Sequence, residues 1–146
     1  MFDSKKYFLQ ARKEFIETPL KELGFKKYKS AFVARLTTDT VFQFIDFQKS
    51  AYGGEEFTVN IAIRPLFCPN NEYLTLLPGN RLSTVAANKN DWWNYSTLAT
   101  GQESFRQLYQ LLSEHASPFF DATKSSDAIV KAYEKKIIRR NKKQIF

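Results

Sequence analysis

On either side of Gly53 and Gly54 the chain alternates apolar and polar residues with a period of two. Residues 40–50 read TVFQFIDFQKS and residues 57–64 read FTVNIAIR, both rich in β-branched and aromatic side chains. That pattern predicts two β-strands joined by a reversal, and the paired glycines supply the positive φ angles a reversal requires. A three-residue loop over 52–54 pairs Ala51 with Glu55 and sets the register. Phe47 then meets Val59 and Ile45 meets Ile61 on one face. Gln48 meets Thr58, Asp46 meets Asn60 and Phe44 meets Ala62 on the other. A two-residue loop would oppose Asp46 to Ile61. The three-residue register is preferred because it separates polar from apolar groups, as a half-buried antiparallel sheet does.

Helical spacing dominates elsewhere. Asp3 or Ser4 caps a first helix that buries Phe8, Ala11 and Phe15, with Lys5, Lys6, Arg12 and Lys13 around its other sides. Thr18 and Pro19 restart or bend it, Gly24 suits a left-handed ending, and Phe25 follows as an anchor. Residues 31–36 form a short strand before the hairpin, completing a meander. Between 65 and 100, prolines and asparagines break the pattern. One further strand is expected over 81–85, and one of Trp92 and Trp93 is expected in the core. Thr100 and Glu103 read as a capping box for a helix carrying Phe105, Leu108, Tyr109 and Leu112, which ends near Ala116 before Pro118. Ser125 or Ser126 opens a last helix that turns Ile129, Val130, Tyr133, Ile137 and Ile138 inward. The class is α+β: an antiparallel meander sheet of three to five strands packed against an N-terminal helix and two C-terminal helices. It forms a single domain over residues 1–146, with a basic C-terminal helix end at about 131–146.

Composition agrees with that picture. A chain of 146 residues can bury roughly 70% of its unfolded surface in one core without metals or disulfides. An aromatic content of 16%, with 14 Phe, argues against disorder. The net charge of +7 is uneven, since eight of the 22 basic residues but only two of the 15 acidic ones fall from Lys124 onward. Lys135, Lys136, Arg139, Arg140, Lys142 and Lys143 thus offer a cationic end for nucleic acid, with Trp92 or Trp93 as stacking platforms. A solvated helix end is the plainer reading of such a run, and contact with an anionic membrane ranks below both. Cys68 and His115 are each the sole member of their type, so neither a metal site nor an activated thiol has a partner in the sequence, and no cofactor is expected. His115 reads as a helix-end residue favoured by the dipole. The amino terminus lacks a signal-peptide core, and no run approaches the ~18 apolar residues of a membrane span, so a cytoplasmic protein is expected.

The candidate site is the polar hairpin face of Asp46, Gln48, Thr58 and Asn60, with Arg64 farther along it and Lys49, Arg81, Trp92 and Trp93 as neighbours. A solvated outer face, or a hydrogen-bonded ladder covered by a loop, is the structural alternative. As a binding groove, the face would accept Asp46→Asn or Asn60→Ala with little change in melting temperature. Such a groove suits a non-enzymatic module for a protein partner, of an immunity or regulatory type. An enzymatic alternative uses Asp46 as acid or base with Lys49, Arg64 or Arg81 stabilising negative charge. No G-x-G-x-x-G, P-loop or G-x-S-x-G pattern accompanies it.

Several of these segments resemble a known family. They are Leu23, Gly24, Phe25, Lys26 and Lys27; Phe32 with Arg35; the FIDFQKS run at 44–50; FTVNI at 57–61; Arg81 with Leu82; and Trp92 with Trp93. Over residues 5–115 the chain is similar to an uncharacterised bacterial family, the domain of unknown function DUF4304. The resemblance implies one small α+β domain in a bacterial cytoplasm. It singles out Gln48, Lys49, Ser50 and Asn60 as motif positions, and it carries no activity onto any residue. The basic tail lies outside it.

Overall fold

The computed structural model describes residues 4–29, 32–37, 41–51, 54–65, 73–76, 81–86, 91–135 and 138–141. Five strands succeed one another in the chain and in space: β1 (Lys26–Lys29), β2 (Phe32–Leu36), β3 (Val41–Lys49), β4 (Glu56–Pro65) and β5 (Tyr73–Leu76). The two-residue β6 (Trp93–Asn94) pairs with the start of β4, and β7 (Ile138–Asn141) extends the sheet beyond β5. All pairings are antiparallel.

The β3–β4 register is the one the alternation predicts, with Asp46 opposite Asn60 and Phe47 opposite Val59. The Ser50 amide donates to the Glu56 carbonyl at 3.0 Å, and Gly54 takes a φ of 74°, so a glycine stands where the reversal needs the left-handed region. Residues 52 and 53 lie outside the described set.

The odd-numbered residues of β3 and β4, among them Ile45, Phe47, Phe57, Val59 and Ile61, enter one core with the helices. These are α1 (Ser4–Phe15), α2 (Leu82–Val85), α3 (Leu98–Leu111), α4 (Ser117–Ala122) and α5 (Ser126–Glu134). Phe105 of α3 sits at its centre, with ring centroids 5.0 Å from Phe57, 5.2 Å from Phe15 and 5.8 Å from both Phe8 and Phe47. Even-numbered residues face the other way, where Phe32, Ala34 and Phe44 form a smaller cluster flanked by Phe42.

The first helix ends as expected. A π turn over Ile16–Leu20 accommodates Pro19, and Gly24 closes the segment at φ 90°. The Phe25 amide donates to the Leu20 carbonyl at 3.0 Å, and its ring is buried. The cap proposed at Asp3 lies outside the described residues, as does Cys68.

Other expectations are corrected. Arg12 does not point outward: it follows Phe8 by four residues, falls within the buried stripe, and is 5% exposed. Residues 82–85 are helical, because a window this short fits either periodicity and Leu82 is drawn into the core. Only Arg81 pairs with the sheet, at Asn60. The capping box of α3 stands three residues early. Thr97 Oγ1 accepts from the Thr100 amide at 3.1 Å and Thr100 Oγ1 accepts from the Thr97 amide at 3.0 Å, while Glu103 pairs with Arg106 at 2.6 Å.

That helix also passes beyond Ala116 through a π turn over Leu112–Ala116. Pro118 enters the first turn of α4, where its missing N–H costs nothing. His115 is therefore inside a continuing helix, 3.8 Å from Glu114, and not at its end.

The basic helix end is likewise corrected. α5 stops at Glu134, and β7 pairs along β5, with Arg139 opposite Thr75 and Arg140 opposite Leu74. A strand edge offers unpaired backbone groups that an extended segment can satisfy. Exposed Lys135 follows the helix, while Lys136, Lys142 and Lys143 lie outside the described residues. Among the described residues, no helix is long and apolar enough to cross a membrane.

Replacing Phe105 by Ala removes the ring that four other phenylalanines enclose and is expected to cost about 3–5 kcal/mol in urea unfolding. Val130→Ala on the exposed side of α5 should stay within about 0.5 kcal/mol. Equal effects would show that the core is not organised around Phe105.

Candidate functional site

Directly opposed residues of neighbouring strands project to the same face of a sheet, so three pairings build one row. Phe32 faces Asp46, Asp46 faces Asn60, and Asn60 faces Arg81. Asn60 is the hub: its Nδ2 donates to Asp46 Oδ2 at 3.1 Å and to Gln48 Oε1 at 3.0 Å. Thr58 stands opposite Gln48 one row nearer the hairpin tip. At the far end of the row the Arg81 guanidinium lies over the Trp92 ring, 5.2 Å from its centroid. Toward the other end of the strands the face turns aromatic. Phe42 stacks on Phe44 at 5.7 Å, and Arg64 lies 5.1 Å over Phe42.

The quartet proposed from sequence is thus brought together, but as a covered network more than an open groove. Asp46 and Asn60 are 2% exposed and Thr58 is fully buried, whereas Gln48 is exposed and Arg81 and Trp92 are half-buried. The expectation that Asn60→Ala would leave stability untouched is accordingly revised, since it would strip two acceptors of a buried donor.

Two residues proposed from sequence do not join the row. Lys49 is odd-numbered and points to the helix side, its Nζ 4.7 Å over Phe8 and 5.5 Å over Tyr95. Trp93 is buried in the main core opposite Phe57. Arg64 is on the correct face but belongs to its aromatic half.

Burial is the largest influence on Asp46 and pushes its pKa up to about 6. The Asn60 hydrogen bond and the Arg12 charge act in the opposite direction and are outweighed. Arg12 is the participant that sequence reasoning missed. Its place four residues after Phe8 and next to Ala11 was the available signal. Two buried polar atoms near this region, Arg12 Nη2 and Thr58 Oγ1, have no hydrogen-bond partner. Among the described residues no group of three or more His, Cys, Asp and Glu side chains is placed to hold a metal ion.

The family model of a domain of unknown function, DUF4304, matches residues 16–122. The chain belongs to that family. No curated protein and no solved structure matches it. The DUF4304 match spans the whole Asp46, Asn60 and Arg81 row together with Trp92. It leaves out all of α1, including Arg12, and everything from Thr123 onward. The row therefore belongs to the family domain, and the basic tail does not.

Folding raises the pKa of Asp46 from 3.8 to about 6, so the neutral carboxyl is the form the fold favours. Its contribution to stability is fully present below about pH 4 and is lost as pH rises through about 6, by about 2–3 kcal/mol. Asp46→Asn cannot ionise, so its stability relative to the parent should rise by that amount between pH 4 and pH 7.5 in urea titrations. A difference that stays constant with pH would mean that Asp46 is not held in a desolvated site.

Proposed function

We propose that this DUF4304 domain is a non-enzymatic binding module, of an immunity or regulatory type, that presents the far face of its sheet to a protein partner. The contact is made through exposed Gln48 and the half-buried Arg81–Trp92 pair, with Asp46, Thr58 and Asn60 beneath as the scaffold that orients them. One observation carries this reading: an ionisable carboxyl is retained at 2% exposure in the middle of the row, where burial opposes its charge. A fold that keeps such a group gives up stability, and residues kept at that cost concentrate at sites of function. Arg and Trp are also the side chains that dominate binding energy when a partner desolvates them.

The geometry favours this over catalysis by Asp46. Its buried carboxyl is placed to orient Asn60 more than to meet a substrate. The groove of about 290 Å³ between α1 and α3, lined by Glu14, Phe15, Phe105 and Arg106, lies on the helix side of the sheet. Nucleic-acid binding through a basic helix end loses its structural premise, because Arg139 and Arg140 are built into β7.

The tagged full chain should retain one specific protein from a lysate of its own source cells. The combined Arg81→Ala and Trp92→Ala variant should lose it without unfolding, and Lys135→Ala should keep it. Repeated capture of no specific protein, or retention by the double variant, would count against the module.

A further inference from the structure

Lys5 and Arg12 lie seven residues apart on α1, two turns along one side, with Phe8 between them. Lys49, the last residue of β3, places its ammonium 4.7 Å over that same Phe8 ring and 5.5 Å over Tyr95. Arg12 lies 5.2 Å over Phe47, two residues before Lys49. Lys49 and Arg12 therefore lie on one aromatic floor at the junction of α1 and β3, with the Lys5 charge near enough to act on Lys49. Among the described residues, none of them is in an ion pair. Burial lowers the pKa of Lys49, and the Lys5 and Arg12 charges lower it further. Asp46 acts on Arg12 in the opposite sense, and exposed Glu55 acts on Tyr95.

A second, independent observation points the same way. Arg12 is 5% exposed, and its Nη2 is buried without donating a hydrogen bond. A desolvated guanidinium donor left unused costs stability, and so does the mutual repulsion of three gathered cations. One ligand relieves both: an oxyanion that accepts from the Arg12 fork and neutralises the two ammonium groups.

We propose that Lys5, Arg12 and Lys49 form a binding site for a phosphate-type oxyanion on the helix side of the sheet. Against Asp46 and Glu55 the three cations still leave an excess of positive charge, and the three acceptor oxygens of a phosphate monoester outnumber the two of a carboxylate in serving the Arg12 fork and both ammonium groups. The Phe8, Tyr95 and Phe47 rings hold Lys49 and Arg12 in position. This site goes beyond the partner surface proposed above. It occupies the other face of the sheet and stands or falls without it.

Thermal unfolding of the full chain at pH 7.5 tests the site, with inorganic phosphate compared with sodium chloride at equal ionic strength. Phosphate should raise the melting temperature beyond chloride in a saturable way. Lys49→Gln and Lys5→Gln, each at an exposed position and so expected to fold, should weaken the apparent phosphate affinity about tenfold. Lys135→Gln should leave it unchanged. Sedimentation with phosphatidylcholine vesicles containing phosphatidic acid separates the sources. Pelleting that depends on Lys49 assigns a lipid phosphate, and phosphate binding without pelleting assigns a soluble one. A phosphate effect no larger than that of chloride, or one retained in both lysine variants, overturns the site whatever the outcome of partner capture.

Discussion

The pairing register of β3 and β4 is the constraint on which the rest of this molecule depends. Because side chains alternate strictly across a strand, one register decides the composition of both faces at once. With Asp46 opposite Asn60, the odd residues present to α1, α3, α4 and α5 a largely apolar surface, interrupted by buried Gln43 and by Lys49, and the even residues place a carboxyl, two carboxamides and a hydroxyl side by side. A slip of one residue would drive Asp46 into the rings around Phe105 and turn Ile45 away from them. The core and the polar row are therefore two consequences of a single alignment, and neither could be altered alone.

Charges held in desolvated positions are the second organising feature. Asp46 and Arg12 are both largely buried, each shifts toward its neutral form through burial, and each is opposed in that shift by the charge of the other. They are not in hydrogen-bond contact. Asp46 is held by Asn60 on the far face, while Arg12 lies over Phe47 on the helix side. This through-space coupling links two surfaces with different chemistry: a covered polar row whose exposed rim carries Gln48, Arg81 and Trp92, and a cluster of cations over aromatic rings. Belonging to DUF4304 does not assign a task to either surface, so their physical chemistry has to carry the functional reading. The family match includes the first surface in full and, of the cations of the second, only Lys49.

Much of the architecture was legible in the order of residues. The hairpin register, the burial of Phe8, Ala11 and Phe15, the left-handed ending at Gly24 with Phe25 behind it, and the α3 stripe all follow from local periodicity and glycine stereochemistry. Errors fell where a local signal was real but incomplete. Thr100 does take part in a capping box, as its third residue and not its cap. Pro118 does mark a junction, but proline fits the first turn of a helix, so the chain continues through a π turn. The candidate row was legible as a set, since Asp46, Gln48, Thr58 and Asn60 share a face in the preferred register.

What the sequence by itself determined is alternation: two strands with a polar and an apolar side, and amphipathic helices to cover the apolar one. Tertiary structure alone decided the remainder, because it depends on groups distant in the chain. Arg81 reaches the row only through its bridge to Asn60, Ile138–Asn141 becomes a strand only because β5 has an edge to offer, and Arg12 is buried only because Phe47 arrives beneath it. Whether Asp46 is solvated or desolvated is likewise a property of everything packed around it. Periodicity is written in neighbours along the chain, whereas burial and electrostatics are set by neighbours in space.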